Sequence, residues 1–187
     1  MLSVIIPTLD SERDLMRTLA ALVPGATAGL ISEVLLADGG SRDDTAAVAD
    51  VAGCNVMLVE GPLARRLRAA AAAARASWLM FLRPGAVLDP QWVSEVARFV
   101  DQGPMDNHGA VFRRGATAQP GVRDALRLLA AALGARPQPE QGLVIARRFY
   151  DAIGGHSERA ADPESELLRR IGRRRIVTLS SSTGVAR

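Results

Sequence analysis

A carboxylate, two glycines and a hydroxyl stand together in Asp38-Gly39-Gly40-Ser41, directly after an apolar run and directly before a helix-forming one. The run from Ile31 to Leu36 is mostly apolar and lacks helical periodicity, which reads as a strand covered on both faces. Beyond the junction, Ser41 and Asp44 have capping-box spacing, and Ala46 to Ala52 continue as helix until Gly53 offers a left-handed stop. Asp38 therefore falls at the carboxyl end of a strand. Ligands of open α/β sheets bind outside those ends, and an acid after the second strand commonly accepts hydrogen bonds from ribose hydroxyls. The alternative for the same residues is a plain tight turn leading into a helix.

The flanking sequence repeats this strand-then-helix pattern. Leu2 to Ile6 reads as a first buried strand ending in Pro7-Thr8-Leu9-Asp10-Ser11-Glu12, and Ser11 to Leu22 carries leucines at 15, 19 and 22 on one face of a helix that is expected to stop at Pro24-Gly25. Asn55 to Val59 supplies a third strand, Pro62 to Ala76 an alanine-arginine helix and Trp78 to Leu82 a fourth strand. Such alternation predicts a parallel sheet with right-handed crossovers. Asp89-Pro90 and Asp162-Pro163 each have the form of an N-cap followed by a first-turn proline, opening helices to about Val100 and through Ile171. Strands are expected at Gly109 to Arg113, Leu143 to Ala146 and Arg175 to Leu179, and a helix at Val122 to Leu133. Loops are expected at Gly115 to Gly121 and Gly134 to Pro139.

Pro7-Thr8-Leu9-Asp10-Ser11-Glu12 together with Asp38-Gly39-Gly40-Ser41-Arg42-Asp43-Asp44-Thr45 resembles the two leading motifs of the family two inverting glycosyltransferases. The order continues through Arg65, Trp78 to Leu82, Glu140-Gln141-Gly142, Gly154-Gly155 and Leu167-Leu168-Arg169-Arg170. The resemblance implies a GT-A fold: a Rossmann-like, three-layer α/β/α domain with a mostly parallel central sheet. One domain over residues 1–187 is expected, with a nucleotide-binding half over 1–100 and an acceptor-side half over 101–187. It also implies transfer of a sugar from a nucleotide donor, most plausibly UDP-linked, to an acceptor hydroxyl with inversion. Pro7, Thr8 and Leu9 correspond to contacts with the nucleotide base, Asp38 to the base or ribose, and Glu12, Gly39 and Arg65 to neighbouring nucleotide-site positions. Glu164 corresponds to the catalytic carboxylate, with Asp162 two residues away as the alternative; both are also ordinary residues for a helix start.

One segment departs from the pattern. After the fourth strand, relatives carry Asp-x-Asp or His-Ala-Asp to hold a divalent metal on the diphosphate, whereas this chain reads Arg83-Pro84-Gly85. Magnesium and manganese need hard oxygen ligands, so the usual metal site is expected to be missing and no cofactor is assigned. Arg83, a permanent cation, then either meets the diphosphate itself or merely starts a surface turn. The departure leaves two functional readings open: a glycosyltransferase with altered or no metal dependence, and a non-catalytic homologue that keeps the fold as a nucleotide-binding or scaffold protein. A nucleotidyltransferase is disfavoured by the lack of a glycine-rich, lysine-bearing first loop.

Composition narrows the partners. All 23 basic residues among 187 are arginine, which excludes a Schiff-base lysine and a P-loop lysine. Aromatic residues make up 4% of the chain and are not interleaved with the arginines, so nucleic-acid binding is not expected. Cys54 is the single cysteine and cannot form an internal disulfide. No apolar run is long enough to span a bilayer, and a cytoplasmic location is expected. The clusters Arg65-Arg66-Arg68 and Arg169-Arg170 with Arg173-Arg174-Arg175 could meet phosphates or the inner face of a membrane; a solvated helix face is the plainer reading of the second.

Overall fold

The computed structural model describes residues 1–101, 107–115 and 136–185. Strand β1 (Leu2–Thr8) leads to α1 (Glu12–Thr27), β2 (Ile31–Asp38), α2 (Thr45–Val51), β3 (Asn55–Leu58), α3 (Leu63–Ala73), β4 (Trp78–Phe81), β5 (Ala86–Leu88) and α4 (Trp92–Asp101). After β6 (Gly109–Arg114), a 3-10 turn at Pro139–Gln141 precedes β7 (Leu143–Ala146), α5 (Arg147–Ala152) and α6 (Pro163–Ile171). A second 3-10 turn, Arg173–Arg175, enters β8 (Ile176–Val185).

All eight strands join one sheet in the order β3-β2-β1-β4-β7-β6-β8-β5. The first four run parallel, β7 is antiparallel to both neighbours, β6 and β8 are parallel, and β5 is antiparallel to β8. Chain order moves outward from β1 to β3 and then returns to β4 on the other side of β1. Right-handed crossovers therefore put α1 and α2 on one face and α3 on the other, giving three layers with the switch point between β1 and β4.

The sheet must also curl. Strand β5 begins five residues after β4 ends yet lies four places along the sheet, about 19 Å away if the sheet were flat, while five extended residues reach only about 17 Å. The link is shorter still, because Ala86 N donates to Arg83 O in a turn and Gly85 N donates to Asp14 O of α1. Curling carries the β4–β5 turn over the carboxyl ends of the strands.

The core follows from composition. β1 and β4 are almost wholly buried, Leu15 and Leu22 of α1 pack beneath one face, and Ala64, Leu67, Ala70 and Ala71 of α3 let that helix approach the other closely. Several expectations need correction. Helix α1 does not stop at Pro24-Gly25 but passes through both to Thr27. Pro24 costs α1 one i→i−4 hydrogen bond without ending it, and Gly25 serves packing, since a Cβ there would lie 2.6 Å from Cζ2 of Trp92, whose Nε1 donates to Ala21 O. The capping box at Ser41 and Asp44 does not form either. Asp43 takes that role, accepting from Thr45 N and Thr45 Oγ1, while Ser41 turns toward Asp38. Gly53 does take the left-handed conformation (φ 70°), and Asp162 caps α6 by accepting from Ser165 N. Asp89 accepts from Gln91 N ahead of α4 and from Ser182 N of β8. The helix expected at Val122 to Leu133, and most of the loops on either side of it, lie outside the described residues. Strand β5 and helix α5 were not expected from the sequence.

Because Gly25 abuts a fully buried indole, Gly25→Ala should overpack the α1–α4 contact and lower stability by about 1–3 kcal/mol. Urea titration followed by tryptophan fluorescence measures this; an unchanged midpoint would show that the helices can separate freely.

Candidate functional site

Two groups of side chains gather at the carboxyl ends of the strands. The first joins the two loops that follow β1 and β2. Thr8 and Asp38 are register partners at the last position of the β1–β2 ladder, and Thr8 Oγ1 donates to Asp38 Oδ1 at 2.8 Å. Asp38 also accepts from Ser41 Oγ (2.5 Å), Gly40 N (2.8 Å) and Ser41 N (2.8 Å). A carboxylate offers about four lone-pair sites, and here all are taken by the protein. Burial to 6% exposure raises the Asp38 pKa, but the donors from Ser41, Thr8 and Gly40 outweigh it and hold the carboxyl below its ordinary value. In this structure Asp38 builds the turn.

The loops are stitched further. Asp10 N donates to Ser41 Oγ, Ser11 N to Thr45 Oγ1, Glu12 N to Asp43 Oδ2, and Arg42 N to Asp10 Oδ1. Asp10 adopts φ 48°, a left-handed conformation that short polar side chains tolerate. Pro7 is half-buried within β1, Leu9 is exposed just beyond it, and the Glu12 side chain is half-buried. At Gly39 the Arg66 guanidinium packs against the bare backbone, where a Cβ would lie 2.7 Å from its Nη1. That guanidinium donates to Thr8 O at 2.8 Å, and its Nε is buried with no partner among the described residues. Arg65 is elsewhere, exposed and paired with Glu158 at 3.4 Å. Position in α3 explains the difference. Arg65 points away from the stripe Ala64-Leu67-Ala70-Ala71, so Arg66 is the arginine of this cluster that reaches the strand ends.

The second group sits where the β4–β5 turn meets the start of α6. Arg83 Nε and Nη2 both donate to Glu164 Oε2, at 2.9 and 2.6 Å, and Nη1 donates to Glu140 Oε1 at 2.6 Å. The other oxygen of Glu140 lies 3.7 Å from Arg114 Nη2. Glu140 is held in place by its neighbours. Gln141 Nε2 donates to Phe112 O, Gln141 Oε1 accepts from Gln138 N, and Gly142 (φ 67°) fits where a Cβ would meet Leu82 at 2.7 Å. Glu164 is only 8% exposed, and its Oε1 takes no hydrogen bond from any described residue. Burial pushes its carboxyl above the ordinary range, against the opposing pull of Arg83. Asp162 is shifted the opposite way, held low by its capping bonds with Ser165. A cavity of about 10 Å³, roughly the space of one water, lies beside Glu164 and is lined by Phe81, Leu167 and His156 among others. His156 is itself buried. Its Nδ1 is 2.9 Å from the Tyr150 hydroxyl, and burial with Arg170 and Arg68 nearby lowers its pKa to about 3, so it serves as a neutral core residue.

A divalent ion does not fit this second group. The position after β4 carries a guanidinium, Glu164 and Glu140 are already paired with it, Asp162 is engaged in capping α6, and among the described residues no group of three or more His, Cys, Asp or Glu is arranged to hold an ion.

The model of a protein family described as glycosyl transferase family 2 matches residues 3–155. The chain belongs to this family. Among solved structures, glucosyl-3-phosphoglycerate synthase from Mycobacterium tuberculosis, in complex with Mn2+, UDP and glucosyl-3-phosphoglycerate, superposes with a TM-score of 0.71 at 22% identity. That match covers 99% of this chain and 70% of the synthase. Residues 1–349 of TarS from S. aureus give a TM-score of 0.74 at 16% identity, over 99% of this chain and 60% of that 349-residue segment. No curated protein matches the chain. These likenesses establish the GT-A arrangement of the sheet. Within it, the first site group combines the segments Pro7 to Glu12 and Asp38 to Thr45, and the second joins the β4–β5 turn to the start of α6.

Sequence reasoning named Arg66 only within the cluster Arg65-Arg66-Arg68 and did not single out Glu140 or Arg114. Glu140 was visible only as part of Glu140-Gln141-Gly142, and nothing local marks it as a partner for a residue 57 positions earlier.

The saturated carboxylate of Asp38 makes a pH-dependent expectation. Its folded pKa is depressed, so its contribution is present above the unfolded value of about 3.9 and is lost as pH falls through the folded value. Asp38→Asn should therefore be less stable than the parent at pH 6, with the gap narrowing below about pH 4. Chemical denaturation at pH 6 and pH 3 measures it, and a gap that does not change with pH would assign the effect to shape alone.

Proposed function

We propose that this family 2 member is a nucleotide-sugar-dependent glycosyltransferase in which Glu164 is the general base and Arg83 supplies the positive charge that relatives take from a metal. The observation that carries the reading is the state of Glu164. One oxygen is fixed by two guanidinium donors and the other is free, on a buried carboxyl with raised proton affinity. That is what a base for an acceptor hydroxyl requires. Asp162, spent on its cap and held acidic, is the weaker base.

In the proposed reaction the acceptor oxygen attacks the anomeric carbon as its proton passes to Glu164 Oε1. The bond from that carbon to the diphosphate oxygen breaks on the opposite side, inverting the centre. The leaving diphosphate gains negative charge, which Arg83 stabilises with the N–H donors that Glu164 and Glu140 leave unused. The nucleoside lies along the loops after β1 and β2, where Pro7, Thr8, Leu9, Glu12 and Gly39 border the crevice. Asp38 shapes it from behind and Arg66 reaches it, while Arg65 pairs with Glu158. A UDP-linked donor is favoured because the M. tuberculosis neighbour forms complexes with UDP and with UDP-glucose. The second reading, a nucleotide-binding homologue without turnover, draws on the same ion pair, since Arg83 is already occupied by two carboxylates.

Two outcomes test the proposal. Arg83→Ala should weaken UDP by about tenfold or more, the loss of a charge-assisted contact, while leaving uridine unchanged. Isothermal titration of both ligands, in chelator and in manganese, checks this, and a parent that binds UDP only with manganese would refute the role given to Arg83. Glu164→Gln should lower transfer by about 10²–10⁴ and abolish an acid limb of the pH–rate profile lying above the ordinary glutamate value, with UDP binding retained. Loss of turnover in Asp162→Asn but not in Glu164→Gln would transfer the role to Asp162. Donor binding without transfer or donor hydrolysis across a broad acceptor panel would favour the second reading.

A further inference from the structure

Beside the start of α6, and separate from the small cavity at Glu164, the structure has a cleft of about 920 Å³. Its walls come from residues 136–138, the loop 157–162, α6 and the turn that follows it. Four arginines line it, Arg136, Arg159, Arg169 and Arg173, against two carboxylates, Asp162 and Glu166. The acids are satisfied within the protein. Asp162 caps α6, and Glu166 pairs with Arg170 at 2.5 Å. The arginines are not. Among the described residues none of the four guanidiniums has a hydrogen bond or ion pair.

Apart from Arg174, which is exposed and has no partner among the described residues, the other arginines of the region behave differently. Arg83 and Arg114 pair with Glu140, Arg65 with Glu158 and Arg170 with Glu166, and Arg175 lies over the ring of Phe149 at 5.9 Å. The run Arg169 to Arg175, taken from sequence as a solvated helix face, is therefore divided. Arg170 and Arg175 bind their own protein, while Arg169 and Arg173 turn toward the cleft. Four arginines without internal partners along one concavity concentrate positive potential there, and their planar donor forks match phosphate and carboxylate oxygens. Ser157 and Ser165 add hydroxyls to the same wall.

We infer that this cleft binds the acceptor, and that the acceptor is a small soluble polyanion carrying phosphate or carboxylate groups beside the hydroxyl that receives the sugar. The inference rests on the proposed transferase reading for the word acceptor, but the anion site stands on the arginines themselves. Position supports the link. Asp162 and Ser165 of the cleft wall flank Glu164 in the chain, and Leu168 lines both the cleft and the cavity beside Glu164. Concavity favours a discrete molecule over a flat lipid surface, which would meet only the rim.

The test is isothermal titration of phosphoglyceric acid, glycerol 3-phosphate and inorganic phosphate, with glycerol as the neutral control and UDP titrated alongside. Arg159→Ala/Arg173→Ala is compared with Arg98→Ala, an exposed arginine on α4 far from the cleft in sequence. At least one of the anions should bind the parent, weaken by about tenfold or more in the double variant and by little in Arg98→Ala, and lose affinity with added salt. UDP affinity should be the same in all three proteins, and saturating UDP should not displace the anion. No binding of any anion, equal binding by the double variant, or equal loss in Arg98→Ala would overturn the site. Sedimentation with phosphatidylglycerol vesicles without binding of any soluble anion would overturn it in favour of a lipid surface. Anion binding by a parent that fails to bind UDP would keep an anion site and remove both the acceptor role and the transferase reading.

Discussion

A carboxylate taken out of water must be paired or it will neutralise, and Glu164 at the first turn of α6 is almost entirely out of water. Its partner is Arg83, which reaches it because the curled sheet brings the β4–β5 turn over the strand ends. The same guanidinium takes Glu140 from the far side, so one arginine ties together the parallel half of the sheet, the 3-10 turn before β7 and the start of α6. The turn after β4 thus carries a cation fixed by the chain, held between two carboxylates. Arginine suits this position better than lysine would, since its charge is permanent and its donors can serve two carboxylates at once.

The other half of the site depends on an opposite arrangement. Asp38 is an anion whose lone pairs are all filled by the protein, and the loops after β1 and β2 are fastened to each other through Asp10, Ser41, Asp43 and Thr45. A loop pair fixed in this way offers a ligand a preorganised edge. The carboxyl ends of the strands thus carry a stitched loop pair and a charge cluster, and an arginine-lined cleft lies along α6.

Much of this was legible in the sequence where local chemistry decides structure. The strand-turn-helix junction at Asp38, the left-handed Gly53 and the cap at Asp162 follow from residue type and spacing, and the alternation of strands and helices yielded the parallel half of the sheet. What could not be read depends on partners distant in the chain. Gly25 looked like a helix stop because its neighbour Trp92 is 67 positions away, and the capping role passed from Ser41 to Asp43 because Asp38 competes for the Ser41 hydroxyl. Spacing alone could not separate Arg65 from Arg66, since the choice is made by which side of α3 faces the sheet. Likewise the division of the second arginine cluster follows from where Glu166 and Phe149 lie. The glutamates that hold Arg83 come from the second half of the chain, which local pattern could not connect to the β4–β5 turn.

The central claim is that Arg83, held between Glu164 and Glu140, is the cation under the donor diphosphate. The most direct measurement is a crystal structure of the UDP complex, determined once from crystals grown in chelator and once from crystals grown in manganese. The account predicts the same pose in both, with a diphosphate oxygen within hydrogen-bonding distance of an Arg83 nitrogen and Glu164 Oε1 still open. An ordered manganese ion bridging the diphosphate to Glu140 or Glu164, with Arg83 swung away, would contradict it.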